Sequence, residues 1–244
     1  MAPGEIAPGA PVLEVVADAA ALAAEGARRI GAEARAAVAA RGRFVLALSG
    51  GRTPAAMFEA LAAADLPWRD VHLFQVDERV APDGHPDRNL TGLRSALVDR
   101  VPIPPANVHP MPVTEADLEA AASGYTAALH GAAPGGMLDL VHLGLGDDGH
   151  TASWPPGDPV VDVTDRDVAV VGPYRGRVRL TLTPPAVNRA RRILWLVDGA
   201  DKAGALRGLL DGDPSLPASR VRRDEAVVLA TAACVRPRPS TLSR

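Results

Sequence analysis

The stretch LDLVHLGLGDDGHTAS, residues 138–153, decides the fold. Its first half, LDLVHLGL (138–145), is an almost unbroken apolar run. That is the pattern of a strand buried on both faces, as in parallel sheets covered by helices on each side. The second half turns abruptly polar and glycine-rich, so Asp147, Asp148 and His150 come just past the strand end. In open α/β sheets, ligands collect at that end, near a switch in strand order.

Outward from this strand, apolar runs and helical segments alternate along the whole chain. Strands are expected at 12–18, 44–49, 71–76, 168–172, 178–183, 192–199 and 226–233, with a proline-bearing edge strand at 107–112. Helices are expected over the Ala-rich segment 18–41, from Pro54 to about 64 with Thr53 as N-cap, near 90–99, and at 115–130, 185–190 and 201–210. This alternation implies an α/β fold with a mainly parallel sheet and helices on both faces. No linker or repeat divides it, so residues 1–244 read as a single domain, with flexible ends expected over 1–11 and 236–244.

Of the 244 residues, 47% are hydrophobic and 23% charged, and the net charge is −3 with no block of one sign. A nucleic-acid or membrane-surface role gains no support from that balance. No apolar run reaches the ~18 residues of a membrane span, and the N-terminus MAPGEIAPGAP shows no signal-peptide pattern. Cys234 is the only cysteine, which fits a reducing compartment, so the cytoplasm is the expected location. No sequence feature calls for an oligomer, and a monomer is expected. Lys202 is the only lysine among 26 basic residues, which reads either as a place where an ammonium is wanted rather than a guanidinium or as one surface lysine left by coding bias.

Four polar clusters each follow or occupy an apolar run. SGGRTP (49–54) places Ser49, Gly50, Gly51 and Thr53 between a strand and a helix N-terminus, a geometry suited to an anion or simply to a tight turn. VDERV (76–80) offers Asp77 and Arg79 on one side of an extended end and Glu78 on the other, with Asn89 across the following loop. Asp77 and Arg79 read either as a structural ion pair or as a pocket carboxylate and an anion binder. GLGDDGHTAS (144–153) supplies His150 as a general base, Asp148 to orient it or to cap a helix, and Asp147 as a solvated acid. Arg179 and Lys202 are cations at a strand and at a helix start, where an anion would offset the dipole. No zinc-type ligand spacing and no G-x-S-x-G elbow is present, so neither a metal nor a side-chain nucleophile is expected. What remains is a phosphate cradle beside a proton-transfer pair.

LALSGGRTP (46–54), FQVDERV (74–80) with HPDRN (85–89), LGLGDDGHTAS (143–153), VRLTLT (178–183) and LVDGADKA (196–203) occur in this order. In these strings the chain resembles the 6-phosphogluconolactonases, a family within the superfamily shared with glucosamine-6-phosphate deaminases. The resemblance spans about residues 44–233 and implies a Rossmann-like domain that hydrolyses 6-phosphogluconolactone in the pentose phosphate pathway without metal or organic cofactor. It implies that His150 activates water; Asp148 and Asp77, read from the residues themselves, join it as the candidate catalytic carboxylates. It places Ser49, Gly50, Gly51, Thr53, Arg179 and Lys202 around the phosphate of a sugar lactone. Arg79 and Asn89 complete the binding set, and the oxyanion is left to Arg79 or backbone N–H groups.

Three places depart from the family pattern: Arg88 stands where serine is usual, Trp154-Pro155 where leucine-phenylalanine is common, and PYRGRV carries extra arginines before RLTLT. All three are expected at the pocket rim. A deaminase reading is disfavoured because Arg79 replaces the usual tyrosine and no acid follows His150 before Asp158. A sugar-phosphate sensor without turnover is the remaining alternative.

Overall fold

The computed structural model describes residues 10–235. The flexible segment expected over 1–11 lies outside the described residues except for Ala10 and Pro11, and the expected tail 236–244 lies wholly outside. In chain order the elements are β1 (Val12–Val16), α1 (Ala19–Arg41), β2 (Phe44–Leu48), α2 (Ala55–Ala62), β3 (Val71–Gln75), β4 (Asp77–Arg79), α3 (Asn89–Ala96), β5 (Val108–His109) and α4 (Leu118–Ala132). They continue with β6 (Leu140–Gly144), β7 (Val168–Tyr174), β8 (Arg177–Leu182), α5 (Pro184–Asn188), β9 (Arg192–Val197), α6 (Ala203–Asp211), β10 (Ala226–Thr231) and α7 (Ala232–Val235).

Seven strands form a sheet in the order β1-β10-β9-β6-β2-β3-β5, and every pairing in it is parallel. Both faces of this sheet are apolar because alternate side chains of each strand point to opposite sides. On β2, Phe44, Leu46 and Leu48 pack with Leu22 and Ile30 of α1, Met57 and Phe58 of α2 and Leu93 of α3. Val45 and Ala47 face the other way, into a core with Tyr125 and Leu129 of α4, Val187 of α5 and Leu206 of α6. Each fully buried side chain of this size is worth about 1.5–3 kcal/mol, which accounts for the unbroken apolar runs. His142 in β6 breaks that pattern. It is buried against the edge of Phe58, and neither of its ring nitrogens finds a partner among the described residues.

The helix ends follow their local sequence. Asp18 caps α1 by accepting from the N–H of Ala21 at 2.9 Å, and Gly42 at φ 72° closes it. Asp117 caps α4 through the N–H groups of Glu119 and Ala120. Thr53 does not cap α2: the helix opens from Pro54 with no side-chain cap, and Thr53 sits in the preceding turn. As expected of the proline-bearing edge strand, β5 is a two-residue strand at the end of the sheet.

A second sheet was not expected. Strands β4, β8 and β7 form an antiparallel ribbon in the order β4-β8-β7. The chain passes from β3 in the large sheet to β4 in the small one across the single residue Val76. The two sheets are stitched there: Leu182 N–H donates to the Val76 carbonyl at 2.7 Å, and the Trp154 indole donates to the Leu182 carbonyl at 2.8 Å. Trp154 is therefore fully buried in the core and not at a rim. Among the described residues no helix is long and apolar enough to cross a membrane.

Candidate active site

The strand order reverses at β2 and β6. From β2 the chain proceeds through β3 to β5 on one side, then returns to lay β6 on the other. Loops leaving two such strands diverge, and the crevice between them is where a ligand fits. Here those loops are Ser49–Thr53 after β2 and Leu145–His150 after β6, and the first is tied to β6 by Ser49 N–H donating to the His142 carbonyl at 3.2 Å. They open on a cleft of about 550 Å³. Ser49, Gly50, Gly51, Thr53, Asp77, Arg79, Asn89, His150, Arg179 and Lys202 all line it. Ten of the eleven residues singled out from sequence thus meet in one place, and the eleventh, Asp148, stands directly behind His150.

The pair is tightly made. His150 Nδ1 lies 2.5 Å from Asp148 Oδ1, and Tyr174 OH donates to Asp148 Oδ2 at 2.7 Å. Partial burial works to raise the Asp148 carboxyl, but the bonds from Tyr174 and His150 outweigh it and hold the group well below the usual carboxylate range. Burial, then the bond to Asp148, pushes the Tyr174 hydroxyl up to about 12, so it is a donor at neutral pH. An anionic Asp148 facing Nδ1 favours the proton there and leaves Nε2 as the basic nitrogen. The side chain of His150 is 19% exposed, enough for solvent to reach it. Asp148 therefore orients the imidazole and caps no helix. Gly146 makes room for the pair: a Cβ there would lie 2.0 Å from His150 Nδ1 and 2.6 Å from Asp148 Oδ1.

On the opposite wall, β4 and β8 place Arg79 and Arg179 directly across from each other. Like charges at facing positions of an antiparallel pair repel. Asp77 relieves part of this, with its carboxylate 3.8 Å from the Arg179 guanidinium, so its ion-pair partner is Arg179 and not Arg79. Burial also lowers the pKa of Arg179, while Asp77 acts to raise it. Asp77 is further held by Ser153 Oγ, which donates at 2.6 Å, and by the amide of Asn89 at 3.3 Å. Gly50 lets Asn89 close in, since a Cβ there would lie 2.2 Å from Asn89 Oδ1. Arg79 donates one nitrogen to the Asp87 carbonyl at 2.7 Å, whereas its Nε has no partner among the described residues. Ser49 is buried with its hydroxyl likewise unpartnered. Lys202, 22% exposed at the start of α6, lies 3.3 Å from Asp201 and 3.8 Å from Asp147. Two facing arginines and a nearby ammonium concentrate positive charge on this cleft, chemistry suited to an anion.

Some expectations are corrected. Asp147 is not merely solvated: it bridges Lys202 and Arg175, the latter at 3.3 Å. Arg88 is not at the rim but buried, 3.1 Å from Glu78, whose 0% exposed carboxylate also accepts from the N–H groups of Arg79, Asn89 and Leu90. Of the three departures from the family pattern, only PYRGRV reaches the site: Arg175 lines the cleft and Tyr174 bonds Asp148 behind His150. Sequence reasoning missed both as site residues. The signal was the Arg175-Gly176 dipeptide, which forms the two-residue turn between β7 and β8, both residues at positive φ (50° and 81°). Ser153 beneath Asp77 and Arg52 on the glycine turn were also missed. Among the described residues no group of three or more His, Cys, Asp or Glu is arranged to hold a metal ion.

A doubly wound parallel sheet with a cleft at its switch point, holding a His–Asp pair and paired cations, places the chain among α/β proteins that bind small ligands at the carboxyl ends of their strands. The chain belongs to the glucosamine-6-phosphate isomerase/6-phosphogluconolactonase family, whose model it matches over residues 17–229. It is similar to a 6-phosphogluconolactonase of Synechocystis sp., at 48% identity over 177 residues, 70% of this chain and 72% of that one. Its fold is similar to the crystal structure of a 6-phosphogluconolactonase from Thermotoga maritima, with TM-score 0.82 and 30% identity, covering 91% of this chain and 99% of that one. A monomeric glucosamine-6-phosphate deaminase shares the fold at TM-score 0.81 and 20% identity, over 91% and 98% of the two chains.

Proposed function

We propose that this chain hydrolyses 6-phospho-D-glucono-1,5-lactone to 6-phospho-D-gluconate, the lactonase step of the oxidative pentose phosphate pathway. The observation that carries the reading is the single cleft shared by His150, backed by Asp148, and by Ser49, Arg179 and Lys202. The phosphate rests on the Ser49–Thr53 turn between Arg179 and Lys202. The lactone carbonyl then lies toward His150. Nε2 of His150 takes a proton from water as the water oxygen bonds to the carbonyl carbon, and the carbonyl oxygen becomes an oxyanion. Arg79, which lines the cleft, supplies a donor to that oxyanion. The bond from the carbonyl carbon to the ring oxygen breaks, and the imidazolium returns its proton to that oxygen. Asp77 keeps Arg179 and Asn89 in place during the cycle. The same reading treats the chain as one domain acting as a cytoplasmic monomer.

The test is a continuous hydrolysis assay that compares the phosphorylated lactone with its unphosphorylated analogue, with the spontaneous opening subtracted. A strong preference for the phosphorylated lactone is expected. Ammonia release from glucosamine 6-phosphate without lactone hydrolysis would replace this reading with the deaminase. Tight binding of the lactone without turnover, unaffected by His150→Ala, would replace it with a sensor.

A further inference from the structure

We propose that Tyr174, at the tip of the β7–β8 hairpin, is a positioning residue that holds the Asp148 carboxylate and through it the working tautomer of His150. The inference rests on the lactonase reading of the same cleft.

Asp148 is one-third exposed, so water competes for whichever of its oxygens is left free. A carboxylate bonded to His150 through Oδ1 alone would rotate about its terminal torsion, which is broad. Tyr174 removes that freedom by donating to Oδ2 at 2.7 Å, while its oxygen also stands 3.1 Å from His150 Nδ1. With both oxygens engaged, the carboxylate presents a fixed acceptor to Nδ1–H, and Nε2 is kept free of a proton.

The Tyr174 ring is itself fixed from three sides. The guanidinium carbons of Arg179 and Arg175 lie 5.1 and 5.3 Å from its centroid, and the His150 ring meets it edge-on at 5.4 Å. Arg175 occupies the left-handed region at φ 50°, which is uncommon for a residue other than glycine. From there it reaches Asp147 at 3.3 Å and Asp148 at 3.5 Å. The hydroxyl is not required by any of these packing contacts, so its role separates cleanly from that of the ring.

The experiment uses Tyr174→Phe, which keeps the ring and deletes the donor. Nitrogen-15 spectra of the His150 imidazole, which need no substrate, are expected to show the Nδ1-protonated neutral form in the parent and a mixture with the Nε2-protonated form in the variant. In the lactone assay kcat is expected to fall by about tenfold from lost alignment, with KM within twofold. Introducing Tyr174→Phe into Asp148→Asn is expected to cost no further activity, because the acceptor is already changed. An unchanged tautomer in Tyr174→Phe, an unchanged kcat, or a further tenfold loss in the double variant each overturns the proposal. If the parent protein fails to hydrolyse the lactone, the functional reading falls, while the tautomer measurement still decides the role of Tyr174.

Discussion

Replacing His142 with leucine should make the protein markedly more resistant to acid. The imidazole is fully enclosed in β6, and burial alone depresses its pKa from 6.5 to about 3. The folded state therefore keeps it neutral, whereas the unfolded chain takes up a proton at its ordinary pKa. A group whose unfolded form binds more protons loses stability as pH falls from that ordinary value, and the loss ends at the folded value. The window is thus from about pH 6.5 down to about 3. At ~1.4 kcal/mol per pH unit, the loss two units into the window, near pH 4.5, is about 2–3 kcal/mol. Leucine cannot titrate and suits a position between Leu48 and Leu194 in neighbouring strands. It also removes two ring nitrogens that lack partners, a burden of about 1–3 kcal/mol. Urea unfolding of both proteins at pH 7.0 and 4.5 gives the four free energies. The parent should lose about 2–3 kcal/mol more than His142→Leu between the two pH values. Equal losses would show that His142 is accessible to protons in the folded state and would refute the reasoning.

The other predictions concern the cleft. His150→Ala should lower kcat by about 10²–10⁴-fold with little change in KM, read by steady-state lactone hydrolysis. Lys202→Ala should chiefly raise KM for the phosphorylated lactone, by the equivalent of ~1–3 kcal/mol, and leave the slow turnover of the unphosphorylated lactone almost untouched. Gly146→Ala should abolish most activity without unfolding the chain, since its methyl would occupy the place of the His150 ring; circular dichroism and kinetics together check this.

The parallel sheet was legible because its strands are buried on both faces, and a run such as FVLAL can hardly be anything else. The glycine turns and His150 were legible because they interrupt those runs at the end where ligands gather. The small antiparallel sheet was not, because β4 is three residues long and follows β3 after one residue, so its residues read as the polar end of that strand. The opposition of Arg79 and Arg179 depends on a register between strands about a hundred residues apart, which no local pattern encodes. Arg88 and Trp154 were read as rim residues because polar or bulky departures near a site suggest its surface, yet Glu78 and the Leu182 carbonyl draw both into the interior. Asp147 reads as a solvated acid in isolation because its partners, Lys202 and Arg175, come from other segments.

The cleft is walled by two different sheets, and the seam at Val76, Trp154 and Leu182 joins them. Arg79, Arg179 and Tyr174 ride on the small sheet, while the glycine turn, His150 and Lys202 ride on the large one. On the proposed reading a dianion bound between these walls would act as a crosslink, and the occupied molecule would be mechanically stiffer than the empty one across that seam. Changes in the β7–β8 hairpin would thereby reset the gauge of the cleft and, through Tyr174 and Arg175, the hold on Asp148.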